Sequence, residues 1–154
     1  MHPFPGFSGV VCSIAVGIGM WVFRRRTKKF EKYNLGPGGD TKAYEPILAR
    51  YIRLAEFMIG LATGSIVLIV GSSAVHGQGG HLPWFYASPL ILIASCVVYG
   101  LGFMAAQLVT MEEVLHGNSH TAFSYALNET LGYSALVCFL VGYLWLVFAV
   151  TNMA

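Results

Sequence analysis

Charged residues are scarce in this sequence of 154 residues, which contains nine Lys or Arg and seven Asp or Glu. They make up 10% of the chain, whereas ordinary soluble domains carry about 25%. Apolar residues account for 56%, and the mean hydropathy is +0.65. So few ionic groups cannot coat a water-soluble globule, and the composition predicts an integral membrane protein. It excludes a disordered chain, a disulfide-stapled secreted scaffold and a two-domain enzyme.

Basic residues are absent outside one stretch, since every Lys and Arg falls between Arg24 and Arg53. The formal net charge is only +2, but this one-sided distribution is informative. Lys and Arg near span ends are retained on the cytoplasmic side of a membrane. We therefore expect the basic loop 24–53 to be cytoplasmic and both termini to lie outside. No organellar targeting sequence is visible, so the inner (plasma) membrane of a prokaryote is the expected location.

Long uncharged runs separate the polar stretches. None has Asp, Glu, Lys, Arg or His in its central part, and none alternates with the period of a membrane β-strand. Each approaches the roughly 20 residues that a helix needs to cross a bilayer. The sequence predicts an all-α integral membrane four-helix bundle, a single membrane domain over residues 1–154. Its cytoplasmic basic linker is 24–46, and its spans are about 7–23, 57–75, 84–109 and 131–151.

Three of the four helices are predicted to continue beyond the bilayer. Pro46 suits the first turn of the second helix, the third helix runs on to His116, and Ser119 can cap the fourth. Each would then have about 30 residues and a length of roughly 45 Å, more than the hydrocarbon core requires. We expect the surplus to form a small cytoplasmic collar.

Motifs for common chemistry are missing as well. The chain has no P-loop, dinucleotide-binding fingerprint or nucleophile elbow, and its three cysteines lie in three different spans without a C-x-x-C pair. Charged residues inside spans usually mark ion-coupled transport, and the spans lack them centrally. The sequence predicts no cofactor and no binding of nucleic acid.

The most suggestive polar group lies between the third and fourth spans. Glu113 and His116 have the Glu-x-x-His spacing found in di-iron bundles, although no second such pair exists. Candidate metal ligands are therefore Glu113, His116, His120 and Glu129. The alternative is electrostatic, with Glu112, Glu113 and Glu129 facing Arg50 and Arg53 across the collar.

Small residues recur at spacings of four residues, and once of seven, in three of the spans. Such faces let helix backbones approach closely, which in lipid replaces the hydrophobic driving force. They predict helix packing, either within the bundle or between molecules. The faces consist of Gly9, Ser13 and Gly17, of Gly60, Gly64 and Gly71, and of Ser134, Cys138 and Gly142.

A basic cluster follows the first span directly. Such a cluster serves as a topology determinant or as a recognition site for anionic lipid, at about 1 kcal/mol per charge. The candidate lipid-binding residues are Arg24, Arg25, Arg26, Lys28, Lys29 and Lys32.

These features together favour a small membrane protein that acts by association, with itself, with a larger membrane complex or with anionic lipid. One alternative is an oligomeric channel lined by the hydroxyl-bearing face of the second span. The other is a membrane enzyme with a metal site on the cytoplasmic side.

Overall fold

Four long α-helices make up the fold. A computed structural model describes residues 7–26, 41–72, 84–116 and 122–151. A single 3-10 turn, Trp84–Tyr86, precedes the third helix, and no strand occurs in the described ranges. The all-α prediction is thus confirmed. The helices are α1 (Phe7–Arg26), α2 (Thr41–Gly71), α3 (Ala87–Leu115) and α4 (Ala122–Thr151).

Each helix is long and apolar enough to cross a membrane. The apolar segments are Phe7–Arg25, Leu48–Gly71, Ala87–Glu113 and Phe123–Thr151. Helices α2, α3 and α4 have 31, 29 and 30 residues, which agrees with the lengths predicted from the sequence. At 1.5 Å per residue each is about 45 Å long. The four helices support the assignment to a membrane.

Helix directions alternate through the bundle. Ser8 near the start of α1 contacts Ser88 near the start of α3, so these two helices run the same way. Helix α4 runs antiparallel to α3, because Asn128 near its start meets Thr110 near the end of α3. The end of α1, the start of α2, the end of α3 and the start of α4 therefore share one end of the bundle, which we call the basic end.

Helix α3 holds the bundle together. It packs most extensively against α4 and next against α2, while α1 packs against both α4 and α3. Within the described residues α1 and α2 do not touch each other, so they occupy separate grooves of the α3–α4 pair. The largest fully buried side chains lie on this central pair: Pro89, Leu92, Ile93, Cys96, Ser134 and Cys138.

The outer surface is apolar. Leu68, Val98 and Leu144 are about 70% exposed, at 73%, 69% and 70%. Large apolar surfaces on a water-soluble protein would promote aggregation, but acyl chains solvate them. This outward-facing hydrophobicity is what a membrane bundle requires.

The helices extend into the segment assigned to the linker by sequence. Helix α1 includes Arg24, Arg25 and Arg26, and α2 begins at Thr41, so that Pro46 lies in its second turn instead of its first. Hydropathy marks where apolar residues stop, whereas Arg is itself a good helix former and the backbone hydrogen bonding continues. Proline removes one such bond, which a helix of 31 residues accommodates.

Candidate functional site

The small residues of α1 face α3 at very short range. A Cβ atom at Gly9 would lie 2.7 Å from the carbonyl oxygen of Ser88, and one at Gly17 would lie 2.7 Å from the hydroxyl oxygen of Tyr99. Ser13 between them is buried, and its carbonyl accepts a hydrogen bond from the Tyr99 hydroxyl at 3.1 Å. This face is used for packing inside the bundle.

The small residues of α4 have the same role. Ser134 and Cys138 are fully buried. A Cβ atom at Gly142 would lie 2.8 Å from the Cγ1 atom of Ile93 and 3.2 Å from the Ile93 backbone nitrogen. The absence of a side chain at Gly142 therefore sets how closely α3 and α4 approach each other.

The glycines of α2 behave differently. Gly60, Gly64 and Gly71 are exposed, and a Cβ atom on any of them would meet no atom within 4 Å among the described residues. Helix α2 packs on the bundle through other residues: Leu48, Ala55, Met58 and Ala62. We use the name α2 glycine face for the exposed side of α2 that carries Gly60, Leu61, Gly64, Val67 and Leu68.

Hydroxyl groups of α2 do not form one common face. Ser65 hydrogen-bonds with the Tyr143 hydroxyl of α4, and that hydroxyl also donates to the Leu61 carbonyl at 3.1 Å. Thr63 is exposed on another side of the helix. The hydroxyl of Ser65 thus links α2 to α4, and the contacts of these residues do not support a hydroxyl-lined path along α2.

An ion pair joins α1 to α4 at the basic end. The guanidinium of Arg24 pairs with the carboxylate of Glu129, and their side chains are only 16% and 22% exposed. The sequence predicts that Glu129 faces Arg50 or Arg53, but both of those residues are exposed on α2. The observed pairing follows from the packing, since α1 packs against α4 more extensively than α2 does.

A buried amide layer lies between α3 and α4 next to this pair. The Asn128 amide donates a hydrogen bond to the Thr110 hydroxyl at 3.0 Å, and Gln107 is one turn of α3 away. Gln107, Thr110 and Asn128 are at most 7% exposed. Neither Gln107 Oε1 nor Asn128 Oδ1 accepts a hydrogen bond from another described residue. Sequence reasoning missed this layer, although Gln and Asn are conspicuous within otherwise apolar helices.

We expect Thr110→Val to lower the free energy of unfolding by about 1 kcal/mol, because the Asn128 amide would lose its partner in a buried site. Thr130→Val is the matched control, since the Thr130 hydroxyl is similarly buried but bonds the Ala126 carbonyl of its own helix. Unfolding in mixed micelles followed by circular dichroism measures both. Equal losses for the two variants would contradict an interhelical role for Thr110.

The described candidate metal ligands do not gather into one site. Glu129 is engaged with Arg24, Glu112 is exposed, and the imidazole Nδ1 of His116 hydrogen-bonds to the Glu112 backbone carbonyl at 2.8 Å. His120 lies outside the described residues. In the described part of the chain no three His, Cys, Asp or Glu side chains converge on a point where a metal ion could sit. Glu113 and His116 alone are too few ligands for a structural metal site.

Two of the candidate lipid-binding residues have described side chains, and they differ in their surroundings. Arg24 points to Glu129, whereas Arg25 is exposed and lies over the ring of Trp21 at 5.0 Å from its centroid. Trp21 in turn makes an edge-to-face contact with Phe123 of α4 at 5.8 Å. Arg26 ends α1, and Lys28, Lys29 and Lys32 lie outside the described residues.

Comparison with known proteins gives no family for this chain. No family model, no curated protein and no solved structure matches it.

Proposed function

We propose that the protein functions by associating with other helices in the membrane, and that the α2 glycine face is its contact surface, with a second copy of the chain as the partner. Gly60 and Gly64 form a G-x-x-x-G pair, the spacing at which two membrane helices pack with their backbones close together. The observation that carries the proposal is that a Cβ atom on either glycine meets no described atom, whereas the small faces of α1 and α4 are used inside the bundle.

The surroundings of the pair fit such a contact. Small-residue faces in lipid are stabilised by van der Waals contact with a facing helix, and an acyl chain packs less well into the gap above the glycines. Leu61, Val67 and Leu68 flank the glycines and are exposed by 42%, 64% and 73%. These branched side chains stand beside the glycines, and each can pack against the glycines of a second copy of the same face. In a two-fold symmetric dimer, the α2 glycine face of one copy packs against the same face of the other copy.

Replacing both Gly60 and Gly64 by Leu should weaken self-association at least about tenfold, a change of about 1.4 kcal/mol. The Leu side chains would hold the two backbones apart. The measurement is resonance energy transfer between donor-labelled and acceptor-labelled full-length chains in liposomes, as a function of protein-to-lipid ratio.

Gly19→Leu is the matched control, because Gly19 of α1 is also exposed and has no neighbouring atom within 4 Å among the described residues. It should leave the energy transfer unchanged. A wild-type chain that stays monomeric as the protein-to-lipid ratio rises would refute self-association. Association that survives both leucines would refute the α2 glycine face as the contact surface.

A further inference from the structure

The outer side of α1 at the basic end combines a fixed cation with an apolar track. Arg25 follows Trp21 by four residues, so the guanidinium lies above the indole ring of its own helix, 5.0 Å from the centroid. The same indole makes an edge-to-face contact with Phe123 of α4. Cation–π contact with Trp orients an Arg at a membrane interface, and Arg25 therefore has a defined position.

Arg25 differs from its neighbour Arg24 in that its charge is not neutralised by a described acid. Consecutive helical residues point about 100° apart, so that Arg24 faces α4 and is neutralised by Glu129. Among the described side chains Arg25 forms no ion pair with an acid. Among the described side chains the positive charge that remains available at the end of α1 is thus that of Arg25, and Arg26, Lys28 and Lys29 follow it in the sequence.

The apolar track runs along the same face of α1. Ile14 and Ile18 precede Arg25 by eleven and seven residues, which places all three on one side of the helix. Ile14 is 54% exposed and Ile18 is 60% exposed. An acyl chain can lie along these side chains while its headgroup meets the guanidinium. A free phosphate ion would use only the guanidinium.

We infer that Arg25 and Trp21 form a binding site for the headgroup of an anionic phospholipid, whose acyl chain lies along Ile14 and Ile18. The guanidinium donates hydrogen bonds to the phosphate oxygens, and the nearby positive charge favours a headgroup with net negative charge over a zwitterionic one. The site is separate from the α2 glycine face and does not depend on self-association.

Native mass spectrometry of delipidated full-length protein, titrated with palmitoyl-oleoyl phosphatidylglycerol or phosphatidylcholine, tests this inference. We expect phosphatidylglycerol to bind more tightly than phosphatidylcholine. Arg25→Gln should weaken the binding of phosphatidylglycerol about fivefold, which corresponds to the contribution of one interfacial charge. Arg50→Gln is the matched control, because Arg50 is an exposed arginine at the same end of the bundle, on a helix that does not touch α1 within the described ranges. Its affinity should stay at the wild-type value.

Two further variants separate Arg25 from Arg24. The double variant Arg24→Gln with Glu129→Gln removes a neutralised pair and should leave the affinity for phosphatidylglycerol unchanged. Glu129→Gln alone should raise that affinity by up to about fivefold by releasing the charge of Arg24. Because Arg25 is exposed, Arg25→Gln should keep the thermal unfolding midpoint of the wild type. Equal binding of the two lipids, equal losses in Arg25→Gln and Arg50→Gln, or displacement of the lipid by an equal concentration of inorganic phosphate would each overturn the inference.

Discussion

Arg24→Met is expected to lower the free energy of unfolding by about 3 kcal/mol, because it leaves the Glu129 carboxylate unpaired in a mostly buried position. The two side chains are only 16% and 22% exposed, so water cannot replace the lost guanidinium fully. Glu129→Met should cost a similar amount. Unfolding in mixed micelles with increasing dodecyl sulfate, followed by circular dichroism, gives the free energies.

The double variant Arg24→Met with Glu129→Met decides between two origins of this loss. If the penalty comes from a lone buried charge, removing both charges restores most of the stability, as apolar replacement of buried pairs does elsewhere. Arg50→Met serves as the control for losing one exposed arginine and should change stability by less than about 0.5 kcal/mol. A loss in Arg24→Met that is no larger than in Arg50→Met would contradict a structural role for the pair.

The second large effect concerns Gly142. Gly142→Leu should destabilise the bundle by about 3 kcal/mol, since even its first side-chain atom would lie 2.8 Å from the Ile93 Cγ1 atom and overpacking of a tight core costs this much. Leu92 and Ile93 on the facing helix are fully buried and have no room to move aside. The two central helices would have to separate.

Gly60→Leu provides the comparison for Gly142→Leu, because it makes the same chemical change where no described atom lies within 4 Å. It should leave the stability of the single molecule nearly unchanged or raise it slightly, since Leu is a better helix former than Gly. The same micelle unfolding experiment, performed at high dilution, measures both variants. A loss at Gly60 as large as at Gly142 would show that the α2 glycine face is already packed.

Hydropathy was sufficient to predict the helices, because bilayer thickness and backbone hydrogen bonding leave little choice for long uncharged runs. Hydropathy was less informative about which faces of the helices contact each other. The spacing of Gly60 and Gly64 is the same as that of Ser134 and Cys138, yet the first pair is exposed and the second is buried. Periodicity identifies a face of a helix but not the direction in which that face points within a bundle.

The partner of Glu129 in the ion pair could likewise not be predicted from the positions of charged residues in the sequence. Glu129 and Arg24 are far apart in sequence, and by charge alone Arg50 and Arg53 are equally good partners for Glu129. The choice depends on which groove of the α3–α4 pair each flanking helix occupies, which is a tertiary property. Asn128 and Gln107 escape detection because a search for charged residues within the spans passes over neutral amides, although burying an amide without a full set of hydrogen bonds is costly.

The separation of α1 from α2 bears on how the molecule is made. Synthesis would deliver these two helices to a bilayer before α3 and α4, yet within the described ranges α1 and α2 pack against the later pair and not against each other. Membrane helices can insert singly and pack afterwards, so we expect Gly9 and Gly17 of α1 and the buried Ala55 and Ala62 of α2 to face lipid until α3 and α4 are inserted. We therefore expect the bundle to be completed in the opposite order to synthesis, with α1 and α2 packing onto the α3–α4 pair after that pair is inserted.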